Sequence, residues 1–274
     1  MLRATVNQTA RKFSGNACSS IRCKRLEGKV AVVTASTDGI GFSIARRLAQ
    51  EGAKVMISSR KELNVKNAVE KLQSEGLEVT GTVCHVGKTA DRRNLFEKVK
   101  ADFGGLDILV SNAAVNPSVG MVLDSAEEVW DKVFDINVKS TYLLMKESMP
   151  LLKQSKSPSI IIVSSIAGYQ PFNLLGIYSI SKTALLGLCK ATADELARDG
   201  IRVNCIAPGI IKTQFSRSLY ESEETHDIAV SMISMRRLGL PDEIGGTAAF
   251  LASDDASYIT GEVVVVSGGM KSRL

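Results

Sequence analysis

A chain of 274 residues, 45% hydrophobic and 23% charged with six prolines, has the size and composition of one α/β domain with its own core. The net charge of +5 gives no electrostatic case for a nucleic-acid partner: Arg3, Arg11, Lys12, Arg22, Lys24 and Arg25 supply the excess, and the body from Glu27 onward is close to neutral. No apolar run approaches the roughly eighteen residues of a membrane span, and two histidines with five cysteines at unpatterned spacings point away from a metal site.

Residues 1–25 are basic, free of acid and carry Ser14, Ser19 and Ser20. Two readings stand side by side: a mitochondrial-type leader, amphipathic and acid-poor, or a disordered tail without a role. Residues 26–274 form the expected single domain, with no proline- or glycine-rich linker to divide it.

From Val30 the chain alternates short β-branched runs with amphipathic stretches. Strands are predicted at Val30–Thr34, Val55–Ser58, Val79–Cys84, Ile108–Ser111, Ile160–Ser164, Arg202–Ile206 and Val263–Ser267. Uninterrupted apolar runs of this length suit strands buried on both faces of a parallel sheet. Helices are predicted between them, for example at Ile40–Gln50, Asn64–Ser74 and Asn94–Phe103. The alternation predicts a doubly wound Rossmann-type sandwich with a seven-stranded parallel sheet.

The first strand runs into Thr34-Ala35-Ser36-Thr37-Asp38-Gly39-Ile40-Gly41 and then a helix. Glycines at such a turn let backbone N–H groups approach a pyrophosphate at the helix N-terminus. Thr34, Ser36, Asp38, Gly39, Ile40 and Gly41 are therefore cofactor-binding candidates. After the second strand, where an acid would hold the ribose 2′-hydroxyl of NAD, stand Ser59 and Arg60. A guanidinium suits a 2′-phosphate, so the expected cofactor is NADP(H).

Tyr178 and Lys182 lie four residues apart on a predicted helix, hence on one face. An ammonium beside a phenol favours phenolate. Moving a tyrosine from about 10 to near 7 takes about 4 kcal/mol, which the lysine and a nicotinamide cation together are expected to supply. A phenol so tuned exchanges a proton with a carbonyl or alcohol oxygen.

These segments together resemble the short-chain dehydrogenase/reductase family. The first turn is similar to its T-G-x-x-x-G-x-G, with Ala35 for the first glycine; the added methyl crowds the turn unless Ala35 keeps a negative φ. Tyr178-Ser179-Ile180-Ser181-Lys182 matches Y-x-x-x-K. Ser165, thirteen residues before Tyr178, has the spacing of the catalytic serine, with adjacent Ser164 as its competitor. Asn137 matches the family's helix asparagine, whose implied role is to hold a water that relays protons to the lysine. Asn112-Ala113-Ala114 resembles the N-A-G stretch beside the adenosine ribose. His85 stands where the family's adenine-contacting acid would be, and Val86 follows it. Pro208-Gly209-Ile210-Ile211-Lys212-Thr213 resembles P-G-x-x-x-T, which implies nicotinamide contacts at Pro208, Gly209, Ile211 and Thr213.

The likeness covers about Leu26 to Leu274 and is greatest to the peroxisomal dehydrogenase/reductase group named SDR family member 4. It implies an NADP(H)-dependent carbonyl reductase/alcohol dehydrogenase acting on ketones, dicarbonyls or retinal-type compounds. The catalytic set would be Asn137, Ser165, Tyr178 and Lys182, with Tyr178 as acid/base and Tyr178 and Lys182 also touching cofactor. A homotetramer is implied, for which Trp130, Leu143 and Leu188 are available apolar residues. The alternative is a catalytically idle nucleotide-binding or scaffold protein of the same fold.

Two lid-like stretches, Ala167–Ile177 and Gln214–Leu238, are expected to set specificity. Tyr169, Phe172, Leu174, Leu175, Phe215, Leu219 and Tyr220 suggest an apolar pocket, which Met232 and Met235 either line or back as gap-fillers. The terminal Ser272-Arg273-Leu274 resembles the Ser-Lys-Leu address, making the peroxisomal import receptor an expected partner and the peroxisome the expected compartment, ahead of the mitochondrion.

Overall fold

Runs such as Val30-Ala31-Val32-Val33 and Ser159–Val163 have no polar face to turn toward water, so they fold where both faces are covered. The computed structural model describes residues 24–272. It contains seven strands: β1 (Val30–Val33), β2 (Lys54–Ser59), β3 (Val79–Val83), β4 (Ile108–Ser111), β5 (Ser159–Val163), β6 (Arg202–Pro208) and β7 (Val263–Val266). All neighbours pair in parallel, in the order β3-β2-β1-β4-β5-β6-β7. The order runs outward in opposite directions from β1 and β4. The crevice at that switch point is where doubly wound sheets place ligands.

The helices are α1 (Gly39–Gln50), α2 (Glu62–Ser74), α3 (Thr89–Phe103), α4 (Glu127–Phe134), α5 (Ser140–Leu152), α6 (Gly176–Leu196), α7 (Glu223–Ser231) and α8 (Pro241–Ala252). Successive strand residues face opposite sides. Ala31 and Val33 join Ile44, Leu48, Ile244 and Leu251 of α1 and α8 on one face. Val30 and Val32 join Leu95, Leu144 and Leu185 of α3, α5 and α6 on the other. A small third cluster of Ile166, Ile210, Ala229, Ile233 and Met270 anchors the segment around α7 at the end of the sheet.

Several element ends lie one or two residues from the sequence reading, and two boundaries differ for reasons of packing. Helix α3 starts at Thr89, five residues before Asn94, because Arg92 in its first turn is packed rather than solvated. Arg92 is buried there, donates to the Val86 carbonyl at 2.7 Å and pairs with Glu147 at 2.9 Å. At the N-terminal side Arg25 already belongs to the fold, binding the buried Glu51 through Nε and Nη2 at 2.8 and 2.7 Å, with Leu26 fully buried beside it. The leader residues 1–23, including Cys18 and Cys23, and the terminal Arg273 and Leu274 lie outside the described residues. Among the described residues no helix is long and apolar enough to cross a membrane, and no three His, Cys, Asp or Glu side chains could hold a metal.

Candidate active site

The turn after β1 is built by side chains that turn inward. Thr34 is fully buried; its Oγ1 donates to the Val110 carbonyl and accepts from the Asn112 and Ala113 amides. Ser36 is equally buried, donating to the Val33 carbonyl at 2.6 Å and accepting from the Ser58 amide at 3.0 Å. These two hydroxyls hold the turn and line none of the cavities described below. Asn112 closes it from the β4 side, its Nδ2 donating to the Thr34 and Ala35 carbonyls.

Only glycine fits at position 41: a Cβ there would stand 2.5 Å from both the Ala35 carbonyl oxygen and Asn112 Nδ2. Ala35 has a φ of +49°, so the negative φ that would spare its methyl from crowding the turn is not adopted. The turn demands the left-handed conformation whatever residue occupies it, and a Cβ in that region costs about 1–2 kcal/mol. Asp38 caps α1, its Oδ1 accepting from the Gly39 amide at 2.8 Å.

Three adjoining cavities run along the C-terminal ends of the strands. The first, about 660 Å³, is lined by Asp38, Ser59, Arg60, His85, Val86 and Ala113 from the sequence-derived set. Ala35, Thr37, Cys84, Ala114, Val115, Lys132 and Ile136 complete it. Among the described residues no carboxylate pairs with the exposed Arg60. His85 Nδ1 accepts from the Gly87 amide at 3.2 Å, which leaves Nε2 as the donor of the ring. Asp91 caps the His85 amide and Arg92 holds the Val86 carbonyl, so this wall is fixed from α3.

The second cavity, about 700 Å³, brings together Gly39, Ile40, Gly41, Asn112, Tyr178, Lys182 and Thr213. The third, about 670 Å³, holds Ser165, Tyr178, Pro208, Gly209, Ile211 and Thr213 with Phe172, Leu175, Phe215 and Leu219. Tyr178 lines both, and the tilted Phe215 ring lies 5.8 Å from its own, centroid to centroid. Asn116, Ser216 and Ser218 add a polar edge that no motif announced.

The remaining expected pocket residues go elsewhere. Tyr169 packs against the core, Leu174 points outward with a φ of +62°, and the Tyr220 hydroxyl donates to the Thr213 carbonyl at 2.7 Å. Met232 is exposed, and Met235 lines a separate cavity beside Gly209 and Gly268.

At the meeting of the last two cavities the four expected catalytic side chains are differently employed. Ser164 donates to the Lys182 carbonyl at 2.8 Å, which occupies its proton. Ser165 accepts from the Ala167 amide at 3.1 Å, and its hydroxyl, not committed to a backbone carbonyl, acts on Tyr178 by drawing the phenol's pKa down. Lys182 is buried, with Nζ donating to the Val163 carbonyl at 2.9 Å and lying 5.6 Å from the centre of the Tyr178 ring.

Asn137, whose expected link to Lys182 is a water, makes its direct side-chain bonds elsewhere. It sits in a π-helical turn, Asp135–Lys139, between α4 and α5, where the Ser140 amide bonds five residues back to the Asp135 carbonyl. Its amide grips the Val115 backbone at both groups, at 2.8 and 3.0 Å, and donates to Ser181 Oγ at 3.0 Å. Ser181 in turn donates to the Tyr178 carbonyl at 2.6 Å. The only sign of this serine in the sequence is its place directly before Lys182.

The protein's own groups, without the nicotinamide cation on which the expected lowering also depends, shift the phenol the other way. Burial pushes Tyr178 up, to about 12, and the Ser165 hydroxyl draws it only partly back. Burial also pulls Lys182 down, to about 8, with Cys205 opposing slightly. Desolvation disfavours both charged forms and outweighs the attraction between them. The protein's own groups therefore keep the phenol protonated at neutral pH.

A family model described as enoyl-(acyl carrier protein) reductase, adh_short_C2, matches residues 34–271. Dehydrogenase/reductase SDR family member 4 of Oryctolagus cuniculus is 57% identical over 249 residues, covering 91% of this chain and 96% of its own length. The Homo sapiens protein of that name is also 57% identical over 249 residues, covering 91% and 90%. The crystal structure of an actinorhodin polyketide ketoreductase variant with NADPH superposes with a TM-score of 0.84 at 30% identity, covering 88% of this chain and 97% of its own.

Proposed function

The chain belongs to the short-chain dehydrogenase/reductase family, and on that premise we propose that it is an NADP(H)-dependent carbonyl reductase with Tyr178 as its acid/base. The observation that carries this reading is the position of Tyr178, common to two cavities, with Ser165 on the wall of one of them and Lys182 buried beside it.

The residues fit the cofactor. Gly39, Ile40 and Gly41 line the second cavity, which suits the N-terminus of α1 to a pyrophosphate, and Arg60 has no carboxylate of its own among the described residues. Arg60 would hold the 2′-phosphate, Lys182 the nicotinamide ribose and Thr213 the carboxamide. Bound NADPH supplies the hydride. The ketoreductase whose structure contains NADPH is a relative in fold and at 30% identity.

The protein's part is proton handling and charge stabilisation. Ser165 donates a hydrogen bond to the substrate oxygen as charge builds there. Tyr178 delivers the proton; a phenol pushed up to about 12 is protonated at neutral pH, the form that carbonyl reduction requires. Asn137 positions the loop at Val115 against α6. No charged side chain lines the third cavity, so the preferred substrates are lipophilic ketones, dicarbonyls or retinal-type compounds.

Tyr178→Phe is expected to remove nearly all turnover of a carbonyl panel with NADPH while nucleotide fluorescence still reports binding. Full turnover in that variant would refute the assignment; no NADPH oxidation by the wild type across the panel would favour a nucleotide-binding scaffold. We also propose peroxisomal import through Ser272-Arg273-Leu274 and a homotetramer. Trp130, half exposed and stacked on Phe134 at 4.6 Å, offers an apolar surface on α4 for such contacts. Leu143 and Leu188 are half-buried, and Leu188 packs on the core. Deleting the three terminal residues should abolish peroxisomal localisation, with mitochondrial retention pointing to residues 1–25 instead. Light scattering reads the oligomer.

A further inference from the structure

The adenosine-end and nicotinamide-end cavities share Ala35, Asp38 and Ala114 in their walls, and of these only Asp38 is charged. Its side chain is exposed, and among the described residues no lysine, arginine or histidine forms an ion pair with it. Its Oδ1 already takes the Gly39 amide, one of the donors that the first turn of α1 turns toward the groove. Asp38 thus puts an anion at the helix end where the groove must accept phosphates. Arg60 stands on the wall of the same adenosine-end cavity with the opposite sign.

We infer that Asp38 sets cofactor specificity by opposing Arg60: its carboxylate weakens binding of the dinucleotide, and weakens the 2′-phosphorylated form more. This rests on the cofactor reading above, because a dinucleotide that spans both cavities must carry its phosphates past the stretch they share. The pyrophosphate feels the carboxylate in either cofactor; the 2′-phosphate of NADPH adds nearly two further negative charges. Arg60 alone would make the site bind NADPH tightly and release it slowly. With Asp38 beside it, selectivity becomes a difference between two opposed charges, and release is faster.

The test measures dissociation constants of NADPH and NADH by nucleotide fluorescence on the full chain, in wild type, Asp38→Asn, Asp38→Ser, Arg60→Ala and the double variant Asp38→Asn/Arg60→Ala. Asparagine and serine cap a helix as well as aspartate, so the fold is kept while the charge is lost. In Asp38→Asn, NADPH binding should tighten about tenfold and NADH about threefold at low ionic strength, with both gains shrinking in about 0.5 M salt. Unchanged or weaker NADPH binding, or equal tightening of both cofactors, overturns the proposal. Arg60→Ala reads the underlying assignment separately: if that variant keeps the wild-type NADPH preference, the role of Arg60 fails. The Asp38 variants still report whether the carboxylate repels phosphate.

Discussion

Lys182 provides a stability test that needs neither substrate nor cofactor. Its folded value of about 8 lies below the ordinary 10.5, a displacement caused chiefly by burial. That difference corresponds to about 3 kcal/mol against the charged form in the folded state. Between pH 8 and 10.5 the unfolded chain holds more protons on this group than the folded chain, so stability from this residue rises with pH. The penalty is complete below pH 8 and is gone above 10.5. Lys182→Met keeps a stem of similar length and removes the charge, at the cost of the 2.9 Å bond to the Val163 carbonyl, worth about 1–2 kcal/mol. The variant should therefore be inactive yet more stable than wild type at pH 7, by about 1–2 kcal/mol. The advantage should shrink above pH 8 and reverse near 10. Guanidinium unfolding of both proteins from pH 6.5 to 10 measures this. Cys84 and Cys189, raised to about 12, slope the opposite way above pH 9 but cancel in the difference between the two proteins, whereas Cys205 is coupled to Lys182, so the range below pH 9 isolates the lysine. A less stable variant at pH 7, or a difference independent of pH, would refute the reasoning.

Other substitutions address single features. Ala35→Gly should stabilise the protein by about 0.5–1 kcal/mol, since glycine accepts a φ of +49° without strain; a loss in denaturant titration would contradict that conformation. Ser165→Ala should lower kcat by about 10²–10³-fold, as expected for removing a donor to developing oxyanion charge. Ser164→Ala should lower it far less, because that hydroxyl is committed to the Lys182 carbonyl; equal losses in steady-state assays would undo the distinction.

The strands were legible because a parallel sheet covered on both faces favours apolar, often β-branched residues, most plainly in Val30–Val33 and Val263–Val266. The start of α3 was not, because Arg92 looks like a solvated charge until Glu147 and the Val86 carbonyl are seen around it. The groove was legible wherever a motif has fixed spacing: Gly39 and Gly41, Arg60 after β2, Tyr178 with Lys182. Lys132 and Asn116 come from segments that only the fold brings to the cavities, so no local pattern marks them. The upward displacement of Tyr178 by the protein's own groups was not legible for a related reason. A spacing of four residues shows that the ammonium and the phenol are near each other, but it carries no information about how deeply both are buried.

The departures from local rules gather on the walls of the groove. Ala35 takes a left-handed conformation that suits glycine, and Lys182 is a buried cation. Asn137 interrupts α-helical bonding in favour of a π turn. A chain selected for stability alone would correct each of these, and single substitutions would suffice. Each instead aims a group at the same place: Ala35 lines both nucleotide cavities, Lys182 lies beside the Tyr178 ring, and Asn137 ties the loop after β4 to α6 through Val115 and Ser181. The last of these links the wall of the nucleotide groove to the helix that carries the phenol, since Val115 lines the first cavity and Ser181 bonds the Tyr178 carbonyl. Strain and burial that persist at one place must be held there by the surrounding structure. Here Arg92, Thr34 and Ser36, none of which touches the reacting centre, supply that support by fixing the turn and the loop on which the groove is built.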